Sequence, residues 1–298
     1  MSVTVVGSIA LDTIETPWGR NEEGLGGAAT YFSIAASNYT LVHLVGVVGQ
    51  DFPRQHIELL ESKKVDTAGL EVAAGKTFRW TGRYHEDINH RDTLDTQLNV
   101  FQEFHPKLPA AARDAEFLFL GNIHPALQLE VLDQSKARFV ALDTMNFWID
   151  TTPDSLREVL ARVHALIIND SEVKGLTGVS NLVEGAGLVQ KLGPRIVVVK
   201  KGEHGCLLFC DGHVFAAPAF PLSVVIDPTG AGDTFAGGFM GHIARKGSAD
   251  EGTLREAVIH GSIVASFTCE AFGPARLAEI GLREINERYS VFRDLTSF

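Results

Sequence analysis

The chain has 298 residues, of which 45% are hydrophobic and 21% are charged, a composition typical of a globular protein with a core of normal size. Acidic residues outnumber basic ones by 37 to 26, and the net charge of −11 argues against nucleic acid or an anionic membrane as the main partner. The three cysteines form no disulfide or zinc framework, and no apolar run is long enough to span a membrane. Because the N-terminus also lacks the basic region of a signal peptide, we expect a cytoplasmic protein with buried thiols.

The first part of the chain alternates apolar runs with small-residue or amphipathic segments. Runs rich in β-branched residues predict strands over 3–9 and 41–48. Helices are predicted over 28–37 and 51–63, and the polar segment 13–23 is either a loop or part of a small sheet.

The segment 76–105 has a different texture from its surroundings. Residues 77–85 and 92–101 are extended in pattern, and the polar segment 86–91 between them is typical of a turn. The sequence therefore predicts a β-hairpin that projects from the main body.

The rest of the chain returns to alternating strands and helices, with an apolar run over 220–226 before the last third. The predicted strands are 117–120, 139–142, 166–168 and 196–199; the predicted helices are 182–191, 234–245, 253–267 and 275–288; and a hairpin is predicted over 205–215. This order predicts an α/β fold with a mainly parallel sheet covered by helices on both faces, and a small β appendage.

Polar residues follow many of these apolar runs. Ligands of open parallel sheets gather outside the carboxyl ends of the strands. One such residue alone is usually the cap of the next helix, but this many together indicate a site. The residues are Asp12, Asn122, Asp143, Asn169, Lys200, Lys201 and Asp227.

The segment 226–235 is the most informative stretch of the chain. Gly230, Ala231 and Gly232 allow a sharp turn that points several amide N–H groups at one place, at the start of a helix that favours an anion. Asp233 would repel a phosphate there unless it removes a proton from the attacking group. The alternative is an ordinary turn with Asp233 as an N-terminal helix acid. The complete string D-P-T-G-A-G-D-T-F favours phosphoryl transfer.

That string resembles the C-terminal signature of the ribokinase (PfkB-type) family of sugar and nucleoside kinases, and the similarity extends over essentially the whole chain. The resemblance implies one ribokinase-like α/β domain over 1–298, with a β-sheet lid formed by about 12–24 and 76–105. It implies an ATP-dependent kinase that phosphorylates a hydroxymethyl group of a sugar or nucleoside, with Asp233 as the general base. A catalytically silent ligand-binding regulator on the same fold is the alternative.

Three other places resemble the acceptor side of the family's site. Asp12 stands where relatives bind sugar hydroxyls, although a cap or turn acid is the simpler interpretation. The pair Gly26 and Gly27 resembles the family's di-glycine motif; the third glycine of a dinucleotide fingerprint is missing. Tyr31 stands near the place of an asparagine in sugar kinases, and it either stacks on a substrate ring or packs in the core. Asn122 is a candidate replacement for the lost contact.

The nucleotide side of the resemblance is carried by two motifs and a helix. Asn169 and Glu172 match the N-x-x-E motif that places Mg²⁺ through water, and their spacing equally fits a capping box. A second motif resembles the family's nucleotide loop, and a later helix completes the expected ATP site. These residues are Lys200, Lys201, Gly202, Gly205, His260 and Gly261. The resemblance also suggests a monovalent cation near Asp227 and Thr229, and a homodimer through the lid.

Overall fold

The computed structural model describes residues 1–297 and contains thirteen strands and twelve α-helices in that range. In chain order the strands are β1 (Ser2–Val6), β2 (Ala10–Thr16), β3 (Gly19–Gly26), β4 (Leu41–Gly49), β5 (Val65–Ala73), β6 (Phe78–Tyr84), β7 (Arg91–Gln97), β8 (Phe117–Leu120), β9 (Phe139–Asp143), β10 (Ala165–Asn169), β11 (Ile196–Lys200), β12 (Cys206–Cys210) and β13 (His213–Ala217). The helices are α1 (Ala28–Ala36), α2 (Arg54–Ser62), α3 (Ala110–Arg113), α4 (Pro125–Gln134), α5 (Asn146–Thr151), α6 (Pro153–Leu160), α7 (Asp170–Thr177), α8 (Leu182–Gln190), α9 (Ala231–Lys246), α10 (Glu251–Thr268), α11 (Ala275–Glu279) and α12 (Leu282–Thr296).

The main sheet has nine strands in the order β13-β12-β11-β10-β9-β8-β1-β4-β5. All neighbours from β5 to β11 pair in parallel, and the hairpin β12–β13 adds two antiparallel strands at one edge. Strand β8 and the first four residues of β11 are buried, because helices cover both faces. The predicted fold class is confirmed.

A separate four-stranded sheet has the order β3-β2-β6-β7 and joins the two segments predicted as the lid. Strand β2 pairs in parallel with β6, which connects the 10–26 hairpin to the 78–97 hairpin. The predicted strand over 3–9 is two elements, because the chain leaves the main sheet after Val6 and enters the small sheet at Ala10.

Three parts of the chain differ from what the sequence pattern suggested. The run 220–226 forms neither helix nor strand, since Pro218 and Pro221 lack the N–H that a sheet ladder needs. Asp227 therefore does not follow a strand. The final helix divides into α11 and α12 at Gly281, and β5 was not predicted because Ala68 and Gly69 weaken its strand pattern.

The core on one face of the sheet brings helix α9 close to its neighbours. Phe32 of α1 stacks on Phe119 of β8 with ring centroids 4.4 Å apart. A Cβ added to Gly237 would lie 2.4 Å from the carbonyl oxygen of Phe32, so a glycine is needed where α1 and α9 cross. This packing directs the start of α9 to the carboxyl ends of the central strands.

Two further expectations concern the cysteine thiols and membrane-spanning segments. The thiols of Cys206 and Cys210 are buried, Cys269 is half-buried, and all three are free. Across residues 1–297 no helix combines the length and the apolar character that a membrane crossing needs.

Candidate active site

The start of helix α9 is a turn with free amide groups. Gly230 precedes the helix with φ +76°, the left-handed conformation that favours glycine. Among residues 1–297, the N–H groups of Gly232 and Asp233 find no acceptor on another residue. Unpaired N–H groups and the helix dipole favour an anion at this place. The predicted anion-binding turn over Gly230, Ala231 and Gly232 is therefore present as a geometry.

Two buried side chains, Tyr31 and Asp227, support this turn. A Cβ on Gly230 would lie 2.4 Å from ring carbons of Tyr31, so the glycine rests directly on the tyrosine ring. The Asp227 carboxylate accepts from the Thr229 N–H (2.8 Å) and from the Gly273 N–H (3.1 Å). Asp227 is fully buried and joins the turn to the loop after α10.

Asp233 lies in the first turn of α9 and is half-buried. Burial raises the pKa of Asp233 to about 7, and the Asp143 carboxylate adds to this rise. Lys200 and Arg91 oppose it through their positive charges. A carboxyl with this pKa near neutral pH is suited to accept a proton.

Lys200, at the end of β11, lies among three carboxylates: Asp143 at the end of β9, Glu172 in α7 and Asp233 at the start of α9. Its Nζ is 3.9 Å from Oδ2 of Asp143, and a Cβ on Gly232 would lie 3.0 Å from the same Nζ. Burial lowers the pKa of Lys200, but the Asp143, Glu172 and Asp233 carboxylates outweigh burial and raise it overall. The structure thus brings a lysine ammonium directly beside the glycine turn.

Asn169 and Glu172 form a capping box at the start of α7. The Glu172 N–H donates to the Asn169 side chain, and the Asn169 N–H donates to Glu172, both at 2.9 Å. Burial raises the pKa of Glu172 to about 7, and Asp143 adds to the rise. The capping interpretation is therefore correct, and the same carboxyl also faces the Asp143–Lys200 pair. Within the described chain, no group of three or more His, Cys, Asp or Glu side chains is arranged to hold a metal ion.

Asp12 lies on β2, and its carboxylate packs closely against Gly26 of β3. A Cβ on Gly26 would lie 1.9 Å from Oδ2 of Asp12, so only glycine fits beside this carboxylate. Burial raises the pKa of Asp12 to about 7; a hydrogen bond from the Gly27 N–H opposes the rise, while Asp227 and Asp233 add to it. The sequence-predicted Asp12, Gly26 and Gly27 therefore share one site with Asp233.

The structure places Tyr31 in the core. Its side chain is 2% exposed, and one part of its ring is covered by Gly230. Of the two interpretations of this aromatic, packing in the core describes its position, and its ring is not open for stacking on a substrate. Its effect on the site is to support the glycine turn.

Sequence reasoning missed a lid residue that reaches the site. Arg91, at the start of β7, pairs in register with Tyr84 of β6, and the Tyr84 hydroxyl accepts a hydrogen bond from Thr229 at 3.1 Å. The positive charge of Arg91 opposes the raised pKa values of both Asp12 and Asp233. Its guanidinium lies 5.0 Å from the ring centroid of Trp80. The only sequence signal was an arginine at a lid strand end.

The nucleotide loop follows β11 as predicted, but the helix residue His260 does not face the site. Lys201 N–H donates to the Gly205 carbonyl at 2.7 Å and closes the loop, and Gly202 and Gly205 both have positive φ. His260 instead stacks on His242 with centroids 4.1 Å apart and lies 3.0 Å from the Tyr39 hydroxyl.

His242 follows Asp233 by nine residues on α9, or about 13 Å at 1.5 Å per residue. His260 therefore lies away from the glycine turn, and its role as a nucleotide contact stays a prediction. Gly261 lets α10 approach α9, since its Cβ would lie 2.8 Å from the Phe235 carbonyl oxygen.

Asn122 lies after β8 and is held by an aromatic residue from the next strand–helix unit. Its Oδ1 accepts from Trp148 Nε1 at 2.9 Å, and its Nδ2 lies 3.1 Å from the Met145 sulfur. Gln128 Nε2 donates to the carbonyls of Gly121 (2.9 Å) and Asp143 (3.3 Å), which ties the ends of β8 and β9 together.

Comparison with known proteins agrees with this geometry. The family model described as pfkB family carbohydrate kinase matches residues 2–280. A cytidine kinase from Thermococcus kodakarensis is 32% identical over 254 residues, which cover 82% of this chain and 89% of the relative.

Solved structures show the shared fold. The nucleoside kinase of Burkholderia thailandensis in complex with inosine is 20% identical, with a TM-score of 0.80 over 97% of this chain and 98% of its own. The nucleoside kinase of Methanocaldococcus jannaschii is 20% identical, with a TM-score of 0.78 over the same shares of each chain.

Proposed function

This chain belongs to the pfkB family of carbohydrate kinases, and on that basis we propose that it transfers the γ-phosphoryl group of ATP to the hydroxymethyl group of a nucleoside. The observation that carries the proposal is Asp233, with its raised pKa, at a glycine turn where the Gly232 and Asp233 N–H groups have no acceptor on another residue. The cytidine kinase relative supports a nucleoside over a free sugar. The alternative of a silent regulator has no support among the relatives, which are named as kinases.

The proposed chemistry divides between a base and an anion-binding turn. Asp233 accepts the proton of the acceptor hydroxyl as that oxygen attacks the γ-phosphorus of ATP. The bond between the γ-phosphorus and the β–γ bridging oxygen breaks, and ADP leaves. The N–H groups of Gly232 and Asp233 stabilise the charge that develops on the transferred group, without having to reorganise. Asp12 binds sugar hydroxyls, because an ionised carboxylate offers several acceptor positions and no donor. Lid contacts such as Tyr84 with Thr229 exclude water.

The residues present fit ATP and a magnesium ion. The buried carboxyls of Glu172 and Asp143 offer hard oxygen ligands, and Lys200 beside Gly232 offers a positive charge for phosphate. Asn169, Lys201 and the Gly202–Gly205 loop line the nucleotide side. These carboxyls would hold Mg²⁺, which would supply positive charge to offset the charge of the phosphate groups.

Three smaller proposals follow from the surroundings of the site. The lid is formed by about 12–24 and 76–105, and every residue of β7 is exposed at the lid edge, which supports a homodimer through the lid. A monovalent cation is proposed to bind near Asp227 and Thr229. The free thiols support a reducing, cytoplasmic location.

The proposed function is tested by measuring ADP release with a panel of acceptors. We expect cytidine or another nucleoside to be phosphorylated with a higher kcat/KM than ribose or fructose. Mass spectrometry of the product should show one added phosphoryl group on the 5′ hydroxymethyl. Binding of nucleosides and ATP without any turnover across the panel would instead support the regulator.

Replacing Glu172 by Gln separates the magnesium role from the capping role. Gln keeps a side-chain acceptor for the Asn169 N–H, so the capping box and the melting temperature should be nearly unchanged. Loss of the carboxylate should raise the Mg²⁺ concentration needed for half-maximal activity by about tenfold or more. A variant with a lower melting temperature and an unchanged magnesium dependence would show that Glu172 only caps the helix.

A further inference from the structure

A pair of aromatic residues, one of them exposed, lies beside Asn122, and the proposed mechanism does not use it. Phe147 and Trp148, at the start of α5, meet edge to face with ring centroids 4.8 Å apart. Phe147 is 54% exposed, although it is a large apolar side chain. His124 contacts Trp148, with ring centroids 5.0 Å apart.

The other aromatic side chains near the site already have partners. The Trp80 ring lies against Gly82, whose Cβ would be 2.0 Å from it, and under the Arg91 guanidinium. Phe78 stacks on Phe101 with centroids 5.4 Å apart. Tyr31 is buried as well, whereas the Phe147 ring is exposed and open to a ligand.

The aromatic pair is connected to the catalytic acids through adjacent strand ends. The Trp148 indole N–H donates a hydrogen bond to Asn122. The preceding residue, Gly121, and Asp143 both accept hydrogen bonds from the Gln128 side-chain amide through their backbone carbonyls. The Asp143 Oδ2 lies 3.9 Å from Lys200 Nζ, which lies beside Gly232, the residue before Asp233. A molecule whose hydroxymethyl group lies at Asp233 can therefore extend over β8 and β9 towards Phe147.

Trp148 also fixes which way the Asn122 amide points. An indole N–H is only a donor, so the side-chain atom it contacts must be the carbonyl oxygen of Asn122. The carbonyl and NH₂ ends of this amide therefore have fixed positions. A fixed amide distinguishes a base edge that carries an amino group from one that carries a carbonyl group at the same place.

We propose that Asn122, Phe147 and Trp148 form the surface that binds the base of a nucleoside acceptor, and this inference rests on the function proposed above. Phe147 packs on the face of the base, Asn122 reads its hydrogen-bonding edge, and Trp148 is the positioning residue that holds the Asn122 amide in one orientation. The ligand class is a nucleoside whose base presents a donor next to an acceptor, as cytosine does.

The stacking part is tested with Phe147→Ala in the full chain, using cytidine and methyl β-D-ribofuranoside, which lacks a base. Loss of stacking should raise KM for cytidine by about three- to tenfold and leave KM for the base-free acceptor unchanged. Val291→Ala, which alters an apolar side chain that is 50% exposed on α12, should change neither value. Equal effects of Phe147→Ala on both acceptors, or no effect on either, would overturn the stacking role.

The orientation part is tested with Trp148→Phe, which keeps a ring but removes the N–H that fixes Asn122. In the wild type, kcat/KM for cytidine and uridine should differ by about tenfold. In Trp148→Phe the amide is free to rotate, and this ratio should move towards one. A wild-type ratio already near one, or a ratio that Trp148→Phe leaves unchanged, would overturn the role of Asn122.

Failure of this inference is distinguishable from failure of the proposed function. The dissociation constant of cytidine, measured calorimetrically without ATP, should change in both variants by the same factors as KM. If no acceptor is phosphorylated but these dissociation constants shift as expected, the kinase proposal fails and the base surface stands. If acceptors are phosphorylated and the constants do not shift, only the base surface fails.

Discussion

Asp233→Asn is expected to lower kcat by about 10²–10⁴-fold while leaving the dissociation constant of ATP nearly unchanged. An amide cannot accept the proton of the attacking hydroxyl, but it has nearly the size of the carboxyl group it replaces. Single-turnover measurement of phosphoryl transfer, with ATP binding followed by calorimetry, checks both parts.

The pH dependence of the wild type gives an independent check on the same residue. The pKa of Asp233 is raised to about 7, and the base works only when deprotonated, so kcat/KM should fall as the pH decreases below about 7. This acid limb should be absent from the residual activity of Asp233→Asn. Asp154→Asn is a matched control, because Asp154 is also a first-turn helix acid but is fully outside the site. Turnover of Asp233→Asn near the wild-type rate would end the assignment of the base.

The fold was predicted where hydrophobic pattern and burial agree. The all-apolar runs at β8 and β11 predicted strands covered on both faces, and the structure shows this. Prediction failed where tertiary pairing decides. Strand β5 forms because β4 offers it a parallel partner, although its own pattern is weak. The run 220–226 has the apolar composition of a strand but no sheet ladder to join.

The site was predicted where its residues are close in sequence. The glycine turn with Asp233 and the capping box of Asn169 with Glu172 are local motifs, and their spacing determines their geometry. Contacts between distant elements could not be read in this way. The approach of Arg91 to Asp12 depends on how β2, β6 and β7 pair in the small sheet. The contact of Trp148 with Asn122 joins two residues that lie 26 apart in sequence.

His260 is another residue whose neighbours could not be predicted from the sequence. A residue on a long helix has a definite face, but the sequence does not say which neighbour that face meets. In the structure His260 turns towards Tyr39 and His242, two or more helical turns from Asp233. Only the crossing of α9 and α10 places it there, and the small residues Gly238 and Gly261 set that crossing.

Gly230→Ala should reduce kcat by about 10²–10³-fold, the loss typical when one group of a preorganised anion site is displaced. Alanine at φ +76° is strained, and its Cβ would overlap the Tyr31 ring at 2.4 Å. The ring is buried and cannot withdraw, so the turn must shift and carry the Gly232 and Asp233 amides with it. Steady-state kinetics and a melting curve measure the two consequences.

Gly212→Ala is the matched control for this change. Gly212 has φ +82° in the β12–β13 hairpin, and a Cβ there would meet nothing within 4 Å. It should therefore lose stability by about 1–2 kcal/mol from the left-handed conformation alone, with kcat unchanged. In the double variant Gly230→Ala with Tyr31→Ala, removal of the ring should restore part of the lost kcat, so that the two changes are not additive. If Gly230→Ala behaves like Gly212→Ala, with reduced stability but normal turnover, contact with Tyr31 does not set the geometry of the anion-binding turn.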